Sequence, residues 1–287
     1  MEPTTSPDNV WSIVDAVLVI NLDTRPDRWE YFQKLNAGKV PPEKLHRLSA
    51  VNGRELPSYG KAPWFTTRTG ERARIWGGVG GCILSHRNAL RMVVEKGWRN
   101  ALIVEDDVSL PETREQWVEL IEATQRMRGA WFLYLGYGNS RPYARHLGGR
   151  LWRSEGVLGT FAYMVSREAC ASVLPHLPSD DDVWRWVARY RAIDTWYCEY
   201  MQAVTGIQVF IFNPTIAKPV DMGSDIASTP GDTATLRSEL TPHSLSSPAG
   251  FLHRMAYALL RLKVRLNSLR TLRRARRGGL PGFRRKA

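Results

Sequence analysis

The chain has 287 residues, 43% of them hydrophobic and 24% charged, a balance that excludes a fibrous chain or one disordered throughout. Its formal charge is +12, from 40 Lys and Arg against 28 Asp and Glu. Residues 250–287 hold 12 of those bases and no acid, leaving 28 against 28 before them; a neutral body with a cationic tail disfavours a basic nucleic-acid reader within the fold.

Residues 1–14 are polar, carry Pro3 and Pro7, and lack a basic region followed by an apolar stretch. They are expected to be a flexible N-terminus rather than a secretory signal. Residues 15–22 (DAVLVINL) predict a buried strand, followed by a helix from Pro26 with Trp29, Phe32 and Leu35 on one face. Residues 45–50 predict a second strand, and residues 52–81, rich in Gly, Pro, Arg and Trp, a loop with short helical pieces. A helix is expected over residues 78–96, closed by Gly97. Residues 101–104 form a short apolar strand that runs straight into Glu105, Asp106 and Asp107, with a helix expected near Pro111. Residues 131–135 and 159–165 predict further strands, the second feeding a helix from Arg167 toward Leu174. Residues 181–204 predict a helix anchored by Trp184, Val187 and Trp196, and residues 207–212 a last strand. Alternation of strands and helices points to an α/β domain with a largely parallel sheet, whose ligands gather outside the carboxyl ends of strands. From residue 213 to 250 the chain reads as loop, dense in Ser, Thr and Pro.

Three consecutive carboxylates at a strand's end repel one another unless a cation or hydrogen-bond donors compensate. Hard cations such as Mg²⁺ and Mn²⁺ take carboxylate oxygen and commonly share it with substrate phosphates, so a diphosphate-bearing substrate is the natural complement. The alternative is a solvated turn whose acids cap the following helix. Cys82, Cys170 and Cys198 are odd in number and contain no C-x-x-C pair. They support neither a disulfide framework nor a zinc knuckle and fit a reducing compartment.

Six ordered segments resemble the family 25 glycosyltransferases, a likeness spanning residues 15–226. They are Val19-Ile20-Asn21-Leu22-Asp23 with residues 25–28, Gly81-Cys82-Ile83-Leu84-Ser85-His86, residues 101–108, residues 159–166, Ile193-Asp194, and Ser224-Asp225-Ile226. That family includes bacterial lipooligosaccharide galactosyltransferases and collagen galactosyltransferase domains. The resemblance implies a GT-A type fold, a UDP-sugar donor (most often UDP-galactose), Mn²⁺ or Mg²⁺ as cofactor, and inversion at the anomeric carbon. It also implies that Asp107 and Glu105 hold the metal, and that Glu105 and Asp106, with Asn21, Arg25, Arg28, Ser85 and His86, bind the donor. The alternative for Arg28 is a surface ion pair on the first helix, and for His86 a packed core histidine. Asp194 resembles the acid of the family's second motif and is the candidate base for the acceptor hydroxyl; a helix cap or an acceptor-binding acid are its alternatives. Gly159 and Thr160 either bind sugar or allow close packing, and Trp64, Trp76 and Trp196 are candidate stacking platforms. The chain departs from the family at Ala217-Lys218-Pro219, where a Gln-containing loop is expected, and before residue 131, where an acid is missing. His243 stands where some GT-A enzymes place a late metal ligand, in a Ser/Pro-rich context that favours a non-ligand.

In the tail, Leu252, Met255, Leu259, Leu262, Leu266 and Leu269 recur at helical spacing with Arg254, Arg261 and Arg265 off the stripe. Residues 250–287 thus predict a basic amphipathic helix beyond a linker over residues 227–249. Its stripe can pack on the body, pair as a coiled coil, or lie on an anionic membrane surface. No segment approaches the roughly 20 apolar residues that span a bilayer. A peripheral location on the cytoplasmic face, beside a glycan or glycolipid acceptor, is the expectation. A nucleic-acid-binding protein using its basic arm, and a metal-dependent phosphohydrolase or nucleotidyltransferase, are the competing functions. The absence of a G-x-x-x-x-G-K-[ST] loop counts against the phosphohydrolase or nucleotidyltransferase.

Overall fold

The computed structural model describes residues 10–65, 70–140, 144–220, Met222, and Leu259, Leu262, Leu266, Leu269 and Arg270. Ser224, Asp225, His243 and most of the tail lie outside the described residues. The first half of the chain gives α1 (Val10–Ile13), β1 (Ala16–Asn21), α2 (Pro26–Leu35), β2 (Leu45–Ser49), α3 (Gly70–Glu95), β3 (Asn100–Glu105), β4 (Val108–Ser109), α4 (Arg114–Arg126) and β5 (Trp131–Gly136). There follow β6 (Asn139–Ser140), β7 (Ala144–Gly148), β8 (Leu151–Ser154), β9 (Val157–Leu158), β10 (Ala162–Ser166), α5 (Arg167–Val173), α6 (Val183–Tyr190), α7 (Ile193–Trp196), α8 (Gln202–Thr205), β11 (Gln208–Phe212) and β12 (Lys218–Pro219).

One eight-stranded sheet, in the order β2-β1-β3-β10-β5-β11-β8-β7, organises the molecule. β1 pairs parallel with β2 and β3, and β5 pairs parallel with β11. β10 and β8 run against the other six strands. The central strands are apolar on both sides because both sheet faces are covered. Leu18, Ile103, Phe132, Tyr163 and Ile211 face α3, α5, α6 and α7, while Val17, Val19, Leu102, Leu133 and Phe210 face Phe32 of α2 and Trp117, Leu120 and Ile121 of α4. This is the expected α/β architecture, a mostly co-directional sheet flanked by helices.

Several expectations are corrected. The long helix starts at Gly70 rather than residue 78, and its glycines are contact points rather than loop signals. A Cβ on Gly80 would meet the Trp184 ring, and one on Gly81 would fall on the Val51 carbonyl. The helix expected near Pro111 begins at Arg114, where Thr113 and Gln116 close a reciprocal capping box. The single helix expected over residues 181–204 is broken at Arg191, whose φ is +75°, and includes a π-helical stretch over Tyr197–Met201. Trp76 and Trp196 are each 2% exposed and belong to the core, so neither offers a face to a sugar; Trp64 packs partly buried against the same cluster. At the N-terminal end, Val10 and Val14 are buried, so the packed body includes residues ahead of β1.

Candidate active site

β1, β2 and β3 end side by side, and a cleft of about 200 Å³ opens beyond their carboxyl edge. One wall is the acidic turn, Glu105, Asp106 and Asp107; the opposite wall is Val51, Asn52, Gly53 and Arg54; Gly78, Cys82, Ser85 and His86 of α3 form its floor. The turn follows directly from sequence, because β3 buries its apolar run and releases the chain where the carboxylates begin.

Arg28, 7% exposed at its side chain, reaches across from α2 and places Nη2 2.6 Å from Asp106 Oδ1 and 2.6 Å from Asp107 Oδ2. It is therefore not a surface ion pair. Burial, then the charge of Glu105, pushes the Asp107 carboxyl up to about 7 against the pull of Arg28. Burial likewise raises Asp106, opposed by a hydrogen bond from Asn21 and by Arg28.

Asn21 is 1% exposed and does not line the cleft. Its amide donates to Asp106 Oδ2 at 2.6 Å and to the Arg25 carbonyl at 3.0 Å, and its oxygen accepts from Arg47 Nε at 2.8 Å. Both amide protons are thus committed within the protein, which makes Asn21 a brace for the acidic turn. The Arg25 side chain pairs with Asp27 at 3.0 Å and does not line the cleft, although its charge reaches Asp106. Ser85 donates to the Gly81 carbonyl at 2.7 Å and accepts from the Val51 N–H at 2.9 Å, tying the opposite wall to α3. A Cβ on Gly53 would fall on the Gly77 carbonyl, so that wall docks backbone against backbone. His86, 1% exposed, shares a 2.9 Å hydrogen bond at Nδ1 with the Tyr163 hydroxyl and sets Nε2 3.6 Å from Glu105 Oε1.

Asp194 is not part of the cleft lining. Its Oδ2 accepts from the Gly159 N–H at 3.2 Å and its Oδ1 from the Thr195 N–H at 2.6 Å, and its charge, with that of Glu105, helps raise the Cys82 thiol after burial has done most of the work. It therefore lies on the α3 side, near the cleft. The adjoining Thr160 donates to Glu105 Oε1 at 3.4 Å, and the Phe161 carbonyl accepts from the Glu105 N–H at 2.9 Å. Gly159 has φ of +87°, and a Cβ there would press on the Gly138 amide, so close packing explains this glycine. The residues 51–54 and Gly78 escaped sequence reasoning, since only the fold brings them to the acidic turn; the glycine cluster was the available signal. β12 pairs antiparallel with β4, and the Val220 N–H donates to the Asp107 carbonyl at 2.6 Å. The departure at Ala217-Lys218-Pro219 thus falls next to the acidic turn.

Fold and cleft together define an α/β protein with an acidic cleft at its strand ends. Residues 14–150 match the family described as glycosyltransferase family 25 (LPS biosynthesis protein). A curated Drosophila melanogaster protein named "Glycosyltransferase 25 family member" is 27% identical over 185 residues, covering 58% of this chain and 29% of that protein. The chain spans under a third of that relative's length. Both matches are to glycosyltransferase family 25. The family model stops short of residues 159–226, so Asp194 lies beyond the matched region. Among solved structures, mannose-1-phosphate geranyltransferase from Thermus thermophilus aligns over 69% of this chain and 73% of its own, at 14% identity and a TM-score of 0.33. A197 from STIV aligns over 73% and 86%, at 13% identity and a TM-score of 0.38. Neither likeness bears on function.

Proposed function

We propose that this cleft transfers a sugar, galactose in the first instance, from a UDP-sugar to a hydroxyl of a glycan such as a lipooligosaccharide core, with inversion and with Mn²⁺ or Mg²⁺. The observation that carries the reading is the convergence of Glu105, Asp106, Asp107 and Arg28 on one cleft at the carboxyl edge of the sheet. The donor set fits a hard cation: the acidic turn offers carboxylate oxygen, and the burial and mutual repulsion that raise Asp107 are costs that a cation offsets. Asp107 and Glu105 would hold it. A divalent ion there supplies positive charge for the departing diphosphate.

The protein's own groups do the rest. Arg28, already among the acids, is placed to offer its guanidinium to phosphate oxygen. Asn21 and Arg47 fix the acidic turn, and Ser85 fixes the loop that closes the other wall. Asp194 is held by two backbone N–H groups and takes the proton of the acceptor hydroxyl, which enters past residues 159–161. We assign the tail to an anionic membrane surface: Leu259, Leu262 and Leu266 are helical and between 50% and 64% exposed, while Leu269 borders a pocket with Trp196 and Tyr200 of the body, and none of the described helices is long and apolar enough to cross a bilayer.

A panel of nucleotide sugars read by thermal shift tests the donor. UDP-galactose should raise the melting temperature only when Mn²⁺ or Mg²⁺ is present, by an amount equivalent to about 2.7 kcal/mol at a hundredfold excess over Kd. A shift that survives chelation would overturn the metal-dependent reading. Phosphate release without any acceptor would mark a hydrolase instead.

A further inference from the structure

The proposed transfer gives no task to the thiol of Cys82, which lines the cleft. It sits one helical turn before His86 on α3, so both side chains share a face, and Glu105 at the end of β3 stands opposite them. One ligand atom from each of the three lies within 4.8 Å of the other two. We propose that Cys82, His86 and Glu105 form a binding site for a thiophilic divalent cation of the zinc class, distinct in chemistry from the hard-cation place at Asp107.

The donor set argues for this. Sulfur and imidazole select borderline-soft ions, whereas Mn²⁺ and Mg²⁺ favour oxygen alone. Bond lengths of about 2.3 Å to sulfur and about 2.0–2.2 Å to nitrogen or oxygen put tetrahedral ligand atoms ~3.5 Å apart, so the trio needs to close by up to ~1.3 Å at its widest. The His86 Nε2 to Glu105 Oε1 separation is already 3.6 Å. The imidazole is oriented from behind: with Nδ1 donating to the Tyr163 hydroxyl at 2.9 Å, Nε2 presents its lone pair toward Glu105, the outer-shell arrangement that ligating histidines commonly have. All three residues line the cleft, which leaves a fourth position open to water or ligand, as in exchangeable three-ligand zinc sites. On binding, the S–H bond breaks, its proton passes to solvent and a sulfur–metal bond forms, with no change of oxidation state. Glu105 cannot serve both ions at once, so the thiophilic cation competes with the donor's metal. That consequence rests on the proposed transfer; the cation site itself does not.

Cobalt(II) is the probe, because thiolate ligation gives it a charge-transfer band in the near ultraviolet. Titration of the full chain should saturate that band at one equivalent, and equimolar Zn²⁺ should erase it. Cys82→Ser should abolish the band, while Cys170→Ser and Cys198→Ser, at the other two free cysteines, should retain it. Tyr163→Phe should weaken cobalt binding about tenfold or more while keeping the band, the effect expected when the outer-shell partner of a ligating histidine is lost. A wild-type protein with no thiolate band in excess cobalt, or a band undiminished in Cys82→Ser, overturns the proposal. Since wild-type protein decides the first point, misfolding of a variant cannot mask the answer. Mn²⁺-dependent transfer without any cobalt–thiolate band would remove this site and leave the transferase reading standing.

Discussion

Arg28 serves as the resident counter-charge of two acids that the fold has partly removed from water. Removing one partner of such a pair leaves the others uncompensated, so Arg28→Met should cost about 3–5 kcal/mol in urea denaturation, more than an exposed arginine contributes. The raised Asp107 sets a pH dependence with a definite sign. Its folded value of about 7 lies above the ordinary 3.8, so between those values the folded chain holds a proton that the unfolded chain has lost. Asp107 therefore costs nothing below pH ~4, and its penalty grows to full size as pH rises through ~7. Denaturation of chelator-treated protein from pH 4 to 8 should show this decline, and Asp107→Asn should flatten it. The same variant should lower metal-dependent transfer a hundredfold or more, whereas Asp194→Asn should keep donor affinity and lose turnover. A wild-type rate in Asp194→Asn would remove the base assignment. The acids were legible in the sequence because an apolar run ends on them. The internal use of Asn21 was not, since its partners Arg47 and Asp106 are 26 and 85 residues away.

At the level of elements, the cleft depends on how the segment over residues 51–54 lies against α3. Gly53 and Gly81 let two backbones touch, and the Ser85 hydroxyl bridges them. Gly81→Ala should displace that wall, lowering stability by roughly 1–3 kcal/mol, the usual cost of overpacking, and weakening nucleotide binding in calorimetry. Ser85→Ala should cost a similar ~1–3 kcal/mol by orphaning the Val51 N–H. These contacts explain why a glycine-rich stretch that reads as loop is helix: propensity yields to close approach. β1, β3, β5, β11 and α5 were legible from uninterrupted apolar runs and their flanks. The hairpin of β7 and β8 was not, because it forms the sheet's edge and its residues (ARHLG and LWRS) alternate too weakly to announce a strand.

For the whole molecule, charge is divided between a balanced body and a tail carrying the entire excess. Deleting residues 250–287 should abolish sedimentation with anionic vesicles while leaving turnover of a soluble acceptor largely intact, and retained vesicle binding would refute the membrane assignment. The sheet has its own asymmetry. Because β10 runs against its neighbours β3 and β5, the chain enters that strand at the same rim where β1 and β3 discharge theirs. Residues 159–161 consequently lie beside those exits, with Thr160 and Phe161 both hydrogen-bonded to Glu105. If the proposed transfer holds, changes of length ahead of them would re-tailor which alcohol is admitted without rebuilding the part of the rim set by the first three strands, so a single scaffold of this kind could diverge in what it decorates while keeping what it spends.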